Sequence, residues 1–416
     1  MSLLKSRLAF VGIASVILTG GLFATESSYA KAKAKKKAPA ITYKNLSSKD
    51  FNTTESAMKY LKPLTAKGKG KVAFILPDTT SSERWTEFDA PLLKKALTAA
   101  GLKSSQIIIQ NAQGSDATFI TDDQADITAG AKVIATTPED SATGAEAEKL
   151  NTAAGVKTID YDRLTLGGAT ADKYYVSFNN VTVGKLIGNG LVACVKAWGI
   201  TSPKVIVAHG ATTDNNATLF AEGYFDILTP LFSSGAWTDE EGAAPATTAG
   251  TWDPPTAETE FEQAFTAHPT ANAALMPNDE TAAPVITYLQ QQGVKPQTFP
   301  VTGQDATLVG LQNIISGYQC GTVYKPIFLE AESASALALY LRAGLKPPST
   351  LINGTTEDTV SNYAVPSILE TPEWVTAKTI ESTVVKDGFV PPSQICSGSP
   401  PSGPSYAADC TTYKIH

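Results

Sequence analysis

Several short polar clusters in the 416-residue chain combine groups suited to gripping a hydroxylated molecule. They are Glu83-Arg84-Trp85, Asp160-Tyr161-Asp162-Arg163, Asp214-Asn215-Asn216, Trp252 ahead of Glu258, Asn278-Asp279, Gln304-Asp305 and Lys325-Pro326. Carboxylates, amides and guanidinium groups bind neighbouring hydroxyls in pairs, since each hydroxyl both donates and accepts. An indole face covers the C–H side of a ring and excludes water. Hydrogen bonds to charged groups contribute about 1.5–3 kcal/mol each, and micromolar binding needs only about 8 kcal/mol net. A handful of such bonds with one stacked tryptophan is enough. Taken singly, each cluster also has an ordinary structural role. Asp162-Arg163 fits a solvated loop, Asp214, Asn278 and Asp305 could cap the helices that follow them, and Trp252 could be a half-buried surface aromatic.

The same inventory argues against catalysis. Of the three histidines, His209, His268 and His416, only His209 follows a strand where a general base could sit. No GxSxG elbow, Walker A loop or GxGxxG fingerprint occurs, so neither nucleophilic hydrolysis nor nucleotide chemistry has its usual motif. A glycosidase built on carboxylates alone is not excluded by motif. No histidine or cysteine has metal-ligand spacing, and no cofactor is expected. Thirty-three basic against 40 acidic residues give a net charge of −7, which disfavours a nucleic-acid partner.

The clusters acquire meaning from the elements that must position them. From Val72 onward, β-branched apolar runs alternate with helical stretches. Strands are predicted at Val72–Leu76, Gln106–Gln110, Ala131–Thr136, Thr158–Tyr161, Tyr174–Phe178, Lys204–Ala208, Ala273–Met276, Pro300–Gly303 and Thr322–Tyr324. Helices are predicted over Phe88–Ala100, Ala142–Ala154, Val183–Trp198, Ala217–Phe232, Ala257–Ala267, Thr281–Gln292, Ala306–Ser316 and Ile327–Arg342. Strands separated by single helices imply parallel sheets with right-handed crossovers. So many strands exceed one sheet of ordinary size, and two doubly wound α/β lobes are expected. Ligands bind such sheets beyond the carboxyl ends of their strands, where the polar clusters fall.

Lys5 and Arg7, an apolar run from Leu8 to Ala24, and small residues at Ser28 and Ala30 read as a secretory signal peptide cleaved after Ala30. No cysteine lies near that site, so no lipid anchor is expected. Residues 31–67 read as a linker with one helix at most. In an exported chain an even number of cysteines suggests disulfides. Cys396 with Cys410 would pin a Pro/Ser/Gly-rich tail, and Cys194 with Cys320 is the second pairing. Four buried thiols are the alternative.

At the clusters the chain resembles the type I periplasmic binding proteins for sugars, especially the D-xylose-binding subgroup. The resemblance is carried by SERW at Ser82–Trp85, DYDR at Asp160–Arg163 and YVSFNNVTVGKL at Tyr175–Leu186. TDNNATLF at Thr213–Phe220, PNDETAA at Pro277–Ala283, TGQDATLVG at Thr302–Gly310 and TVYKP at Thr322–Pro326 extend it in family order. It implies lobes of 68–178 with 327–355 and of 179–325 with 356–389, crossed by three segments, and a Cys-bearing tail over 390–416. By the resemblance, Arg84, Trp85, Asp162 and Arg163 of the first lobe, Asp214, Asn216, Trp252, Asn278 and Asp305 of the second, and Lys325 at the hinge contact the sugar. It also implies a monomeric, extracytoplasmic component of an ABC transporter that hands a monosaccharide to a permease with a cytoplasmic ATPase. A sugar sensor presenting its closed form to a membrane receptor would share fold and site. A transcription regulator of related architecture would need a helix-turn-helix where this chain has its signal peptide. The stretch Gly242–Gly250, the loop with Pro77 and Thr79–Ser82, and the tail after Phe389 depart from the family pattern.

Overall fold

The computed structural model describes residues 40–168, 173–240, 250–398 and 406–416. The expected signal peptide and the first part of the expected linker lie outside the described residues.

The first sheet begins with β1 (Lys71–Leu76), β2 (Ile107–Asn111), β3 (Ala131–Thr136), β4 (Lys157–Tyr161) and β5 (Tyr174–Phe178). β6 (Lys204–Val207), β7 (Thr238–Asp239), β8 (Ala273–Leu275) and β9 (Thr322–Tyr324) belong to the second lobe. Three strands near the C-terminus complete the set: β10 (Gly354–Asp358), β11 (Tyr363–Glu370) and β12 (Glu373–Val375). The first sheet runs β10-β11-β5-β4-β3-β1-β2, parallel throughout except for β10. The second runs β7-β6-β8, extended by single bridges from Ala274 to Val301 and from Gln304 to Val323 of the β9-β12 pair. β1 and β3 read as almost unbroken Val/Ile/Ala/Phe runs because helices cover both their faces and nearly every side chain is buried.

Helices fill the crossovers. Around the first sheet are α1 (Lys62–Lys67), α2 (Ala90–Ala99), α3 (Asp116–Thr128) and α4 (Ser141–Ala153). The second lobe holds α5 (Asn180–Ala197), α6 (Asn215–Ser233), α7 (Pro254–Ala267), α8 (Asp279–Gln291) and α9 (Leu308–Ile315). α10 (Ile327–Arg342) returns to the first lobe, and α11 (Pro392–Ile395) and α12 (Tyr406–Tyr413) form the tail. α5 and α6 pack closely because Gly184 faces the Phe220 backbone and Gly223 faces the Val181 carbonyl, and a Cβ at either would collide with main chain. α10 is buried along nearly its whole length, which its Ala/Ser/Leu composition permits.

Two expectations about organisation need correction. Residues from Ile41 onward are not a linker: Leu46, Phe51, Ala57, Met58, Leu61 and Leu64 are buried in the core that α2 and α10 share. Backbone groups of this segment are also claimed by the lobe. Asn52 N donates to Glu332 at 2.8 Å, Thr350 donates to Leu46 O at 2.7 Å, and the Tyr340 hydroxyl donates to Tyr43 O. The third crossing comes after Glu370 rather than between 355 and 356, because β10 and β11 form a hairpin on the first sheet and chain pairing with the second lobe starts only at β12. Residues 356–370 therefore belong to the first lobe. The first crossing follows Phe178 and the second passes through Lys325-Pro326.

Both expected disulfides are present. Cys194–Cys320 ties α5 to the residue two before β9 across 126 positions, and Cys396–Cys410 closes a 14-residue tail loop. The tail is packed: Ile395, Cys410 and Ile415 are buried with Leu311, Ile314 and Ile315 of α9.

Candidate functional site

Each site residue is placed by the end of a strand or the start of a helix. Arg84 and Trp85 open the turn between β1 and α2, and Asp162 and Arg163 directly follow β4. Asp214 caps α6, its Oδ1 accepting from Asn216 N at 2.9 Å, and Asn216 lies in the first turn. Asn278 caps α8 in the same way through Thr281 N at 3.0 Å. Capping and a place on the cavity thus coincide. One Asp214 oxygen holds the helix, while Oδ2 meets Trp252 Nε1 at 3.1 Å and Arg163 Nε at 3.3 Å. Asp305 is not a cap, since Thr307 takes that place on α9. Trp252 is half-buried but not idle on the surface. Its indole packs against Gly210, where any side chain would collide with the ring, and stands edge-on to Phe220 at 6.3 Å.

The structure brings all ten expected residues around one cavity of about 30 Å³, together with Ser81, Ser82, Phe220 and Gln304. Water fits such a space; a sugar ring does not while the lobes are drawn together. Ion pairs fill the rest. Arg84 pairs with Asp89 at 2.8 Å, with Asp162 at 2.6 Å and with Glu330 at 2.6 Å, all of them buried. Lys325 reaches Asp305 at 3.1 Å and Asp162 at 3.8 Å. Arg163 spans the lobes to Asp214 and also meets Glu139 at 3.1 Å. The Trp85 ring lies under both guanidinium groups, 4.5 Å from Arg84 and 5.6 Å from Arg163, and donates to Ser81 Oγ at 3.1 Å. Asp162 and Asp305 hold positive φ values of 60° and 89°, a conformation non-glycine residues seldom adopt, and here it aims both carboxylates inward.

Further bonds hold the lobes shut. Ser82 Oγ donates to Glu280 at 2.6 Å, Glu83 N donates to the same oxygen at 3.0 Å, and Leu308 N donates to Glu83 at 3.1 Å. Asn278 Nδ2 donates to Ser81 O at 3.2 Å. Glu83 stands in the first polar cluster but, like Ser82 and Glu280, is not among the ten residues expected to contact the sugar. Ser82 and Glu280 carry a weak signal by their places in the SERW and PNDETAA motifs, although an acidic residue in a first helical turn is otherwise commonplace.

The charges titrate differently. Burial would raise Asp162, but Arg84, Lys325 and Arg163 outweigh it and hold that carboxyl low. Burial wins at Asp214 despite Arg163, and at Glu280, where Asp305 adds repulsion, so both are pushed up. His209, behind Trp252 at the end of β6, is 7% exposed and meets the Tyr224 hydroxyl through Nδ1. Burial lowers it from 6.5 to about 4. A base depressed on folding contributes stability above its unfolded value and loses it as pH falls toward the folded one. Urea midpoints at pH 7 and pH 5 should therefore show about 2 kcal/mol more acid sensitivity in the native chain than in His209→Gln, which keeps a polar partner for Tyr224. Equal acid sensitivity would show that His209 does not carry it.

A larger cavity of about 480 Å³ between β6 and α7 draws on the second lobe alone, and none of the ten expected residues lines it. Among the described residues no group of histidine, cysteine and carboxylate side chains could hold a metal ion, and no helix is long and apolar enough to cross a membrane.

Two α/β lobes joined by three crossings and closed over a buried knot of charge define a solute-binding protein. The chain belongs to the periplasmic binding proteins: a family model described as periplasmic binding protein domain matches residues 72–346. Its fold is the type I fold of that family, one of binding proteins rather than enzymes. Among its relatives, the D-xylose-binding periplasmic protein of Escherichia coli is 32% identical over 327 residues, covering 76% of this chain and 90% of the relative. The multiple sugar-binding periplasmic receptor ChvE of Rhizobium radiobacter is 29% identical over 345 residues, covering 81% and 95%. A solved carbohydrate transporter solute binding protein from Chloroflexus aurantiacus, in complex with D-glucose, is 29% identical with a TM-score of 0.69, covering 78% of this chain and 97% of that one.

Proposed function

We propose that this chain is the extracytoplasmic sugar-binding component of an ABC transporter. It captures a monosaccharide, xylose or a similar aldose, and hands it to a permease driven by a cytoplasmic ATPase. The observation that carries the reading is the convergence of Arg84, Trp85, Asp162 and Arg163 with Asp214, Asn216, Trp252, Asn278 and Asp305 on one cavity, with Lys325 between them. The relatives' names point the same way.

Paired donors and acceptors from both lobes suit a ring bearing hydroxyls on several carbons. In the open form the cleft is exposed. An entering sugar replaces the bonds that Arg163, Asn216 and Lys325 now make across it, and its contacts to both lobes favour the closed form. Only such differential contacts shift the equilibrium. Export to the periplasm or cell envelope accords with the expected signal peptide and the periplasmic relatives. A second reading, a sensor presenting the closed form to a membrane receptor, is favoured by the name of the Rhizobium receptor. Binding to an isolated permease as against a receptor ectodomain separates the two.

The direct test is a thermal-shift series with pentoses, hexoses and their alcohols. A ligand at a hundredfold its dissociation constant should add about 2.7 kcal/mol of stability. No shift with any of them would end the reading. Calorimetry on Asp305→Ala and Asn278→Ala should then show affinity falling about tenfold to a hundredfold, as expected for a lost bond to a charged group or within a buried network. Both variants should fold, Asn278→Ala losing about 1 kcal/mol with its helix cap. Wild-type affinity in both would remove these residues from the site.

A further inference from the structure

We infer that Asn180 and Tyr175, neither of which lines the cavity, are positioning residues that set which edge of the Asn216 amide meets the ligand. The inference rests on the sugar-binding reading above. Asn180 begins α5, directly after the first crossing, and is 4% exposed; Tyr175 lies in β5 and is fully buried. Asn180 Nδ2 spends its two hydrogens on Asn216 Oδ1 at 2.7 Å and on the Tyr175 hydroxyl oxygen at 3.0 Å. The Tyr175 hydroxyl in turn donates to Asp162 O at 2.7 Å. Asn216 Nδ2 donates to Asp162 O at 3.0 Å and to Asp162 Oδ2 at 3.2 Å.

This network fixes the Asn216 amide at both ends. Rotating it by half a turn would set its NH2 group against the NH2 of Asn180 and its oxygen against the Asp162 carboxylate. The bond from Asn180 and both bonds to Asp162 would be lost, and like groups would face each other in their place. The donor edge therefore faces Asp162, and a ligand hydroxyl entering between the two accepts from Asn216 and donates to Asp162. A hydroxyl is recognised there in both of its roles, and a deoxy analogue forfeits both. The network also crosses the lobes: Tyr175 and Asp162 belong to the first, Asn216 and Asn180 to the second. The donor edge is thus presented in this way only when the lobes are closed.

The conservative substitution Asn180→Asp tests this. It keeps the shape but offers an acceptor where Asn216 now finds a donor, favouring the rotated amide. The measurement is titration calorimetry of the full chain with the best-bound monosaccharide from the thermal-shift series and with its monodeoxy analogues, one per carbon. The native chain should discriminate against the analogue lacking the hydroxyl between Asn216 and Asp162 by about tenfold to a hundredfold. In Asn180→Asp the parent sugar should weaken while that analogue does not, so the two bind alike, and ratios at the other carbons should stay as they were. A merely structural role would weaken every sugar in parallel, and that outcome overturns the inference.

Tyr175→Phe removes the oxygen that takes Asn180's second hydrogen and should narrow the same ratio at the same carbon. It decides the matter if Asn180→Asp gives no cooperative melt. Preserved discrimination in a folded Asn180→Asp, or in Tyr175→Phe if the former does not fold, rejects the positioning role while leaving sugar binding intact. A native chain that binds no monosaccharide removes the sugar-binding reading and this inference together.

Discussion

An Arg84→Met variant is expected to lose about 3–5 kcal/mol of stability and all measurable sugar binding. The guanidinium is buried at the start of the turn after β1, and its Nε, Nη1 and Nη2 each face a carboxylate: Asp89, Asp162 or Glu330. Methionine fills much of the volume but leaves three acidic groups facing one another, with only Lys325, 3.8 Å from Asp162, and Arg163 to offset them. Those groups protonate or the turn rearranges, and Asp162 and Trp85 move with it. Urea denaturation reads the stability and calorimetry the binding. A second substitution separates charge from packing: Glu330→Gln added to Arg84→Met should recover part of the loss, because one of the uncompensated charges is gone. Native-like stability in the single variant would show that the carboxylates do not depend on Arg84.

Breaking the long disulfide should rank close behind. A Cys194→Ser, Cys320→Ser double variant releases a 126-residue loop, worth about 5 kcal/mol of denatured-state entropy, whereas Cys396→Ser, Cys410→Ser releases 14 residues, worth about 3 kcal/mol. Thermal unfolding of the two under non-reducing conditions should give the larger drop for the first. Sugar affinity in the first should survive at temperatures where the variant is folded, because neither cysteine lines the cavity. An equal drop in both would mean that loop closure is not what the long bridge contributes.

Much of this architecture is legible before any coordinates. β1 and β3 announce themselves as short Val/Ile/Ala-rich runs and β4 and β5 as short β-branched and aromatic runs between helical stretches, and the ten expected residues stand near the ends and starts of such elements. What escapes has physical reasons. Ile41 to Lys67 buries Leu46, Phe51, Met58 and Leu61 in the core, yet these are spaced through short 3₁₀ turns with neither helical nor strand period. β10, with the sequence GTTED, is a polar edge strand, and Pro366 in β11 argues against an inner strand although β11 pairs on both sides. The third crossing is misplaced for that reason. Nor does sequence reveal that Asp214 and Asn278 serve two masters. A capping residue has a spare polar atom, and only the opposing lobe decides whether that atom faces water or Arg163 and Ser81.

The hairpin on the first sheet has a consequence for how the chain is made. Residues 180–325 run without interruption through α5 to β9, so most of the second lobe has emerged from the ribosome by then, and only β12 and the tail are still to be added to it. The first lobe lacks a strand from the middle of its sheet. Its β5 keeps an open edge until β11, nearly two hundred positions later, arrives to cover it. Throughout that delay the edge can recruit a strand from a neighbouring nascent chain, the ordinary route by which discontinuous domains misassemble. Release of the last fifty or so residues is therefore the step that commits each molecule to pairing with itself.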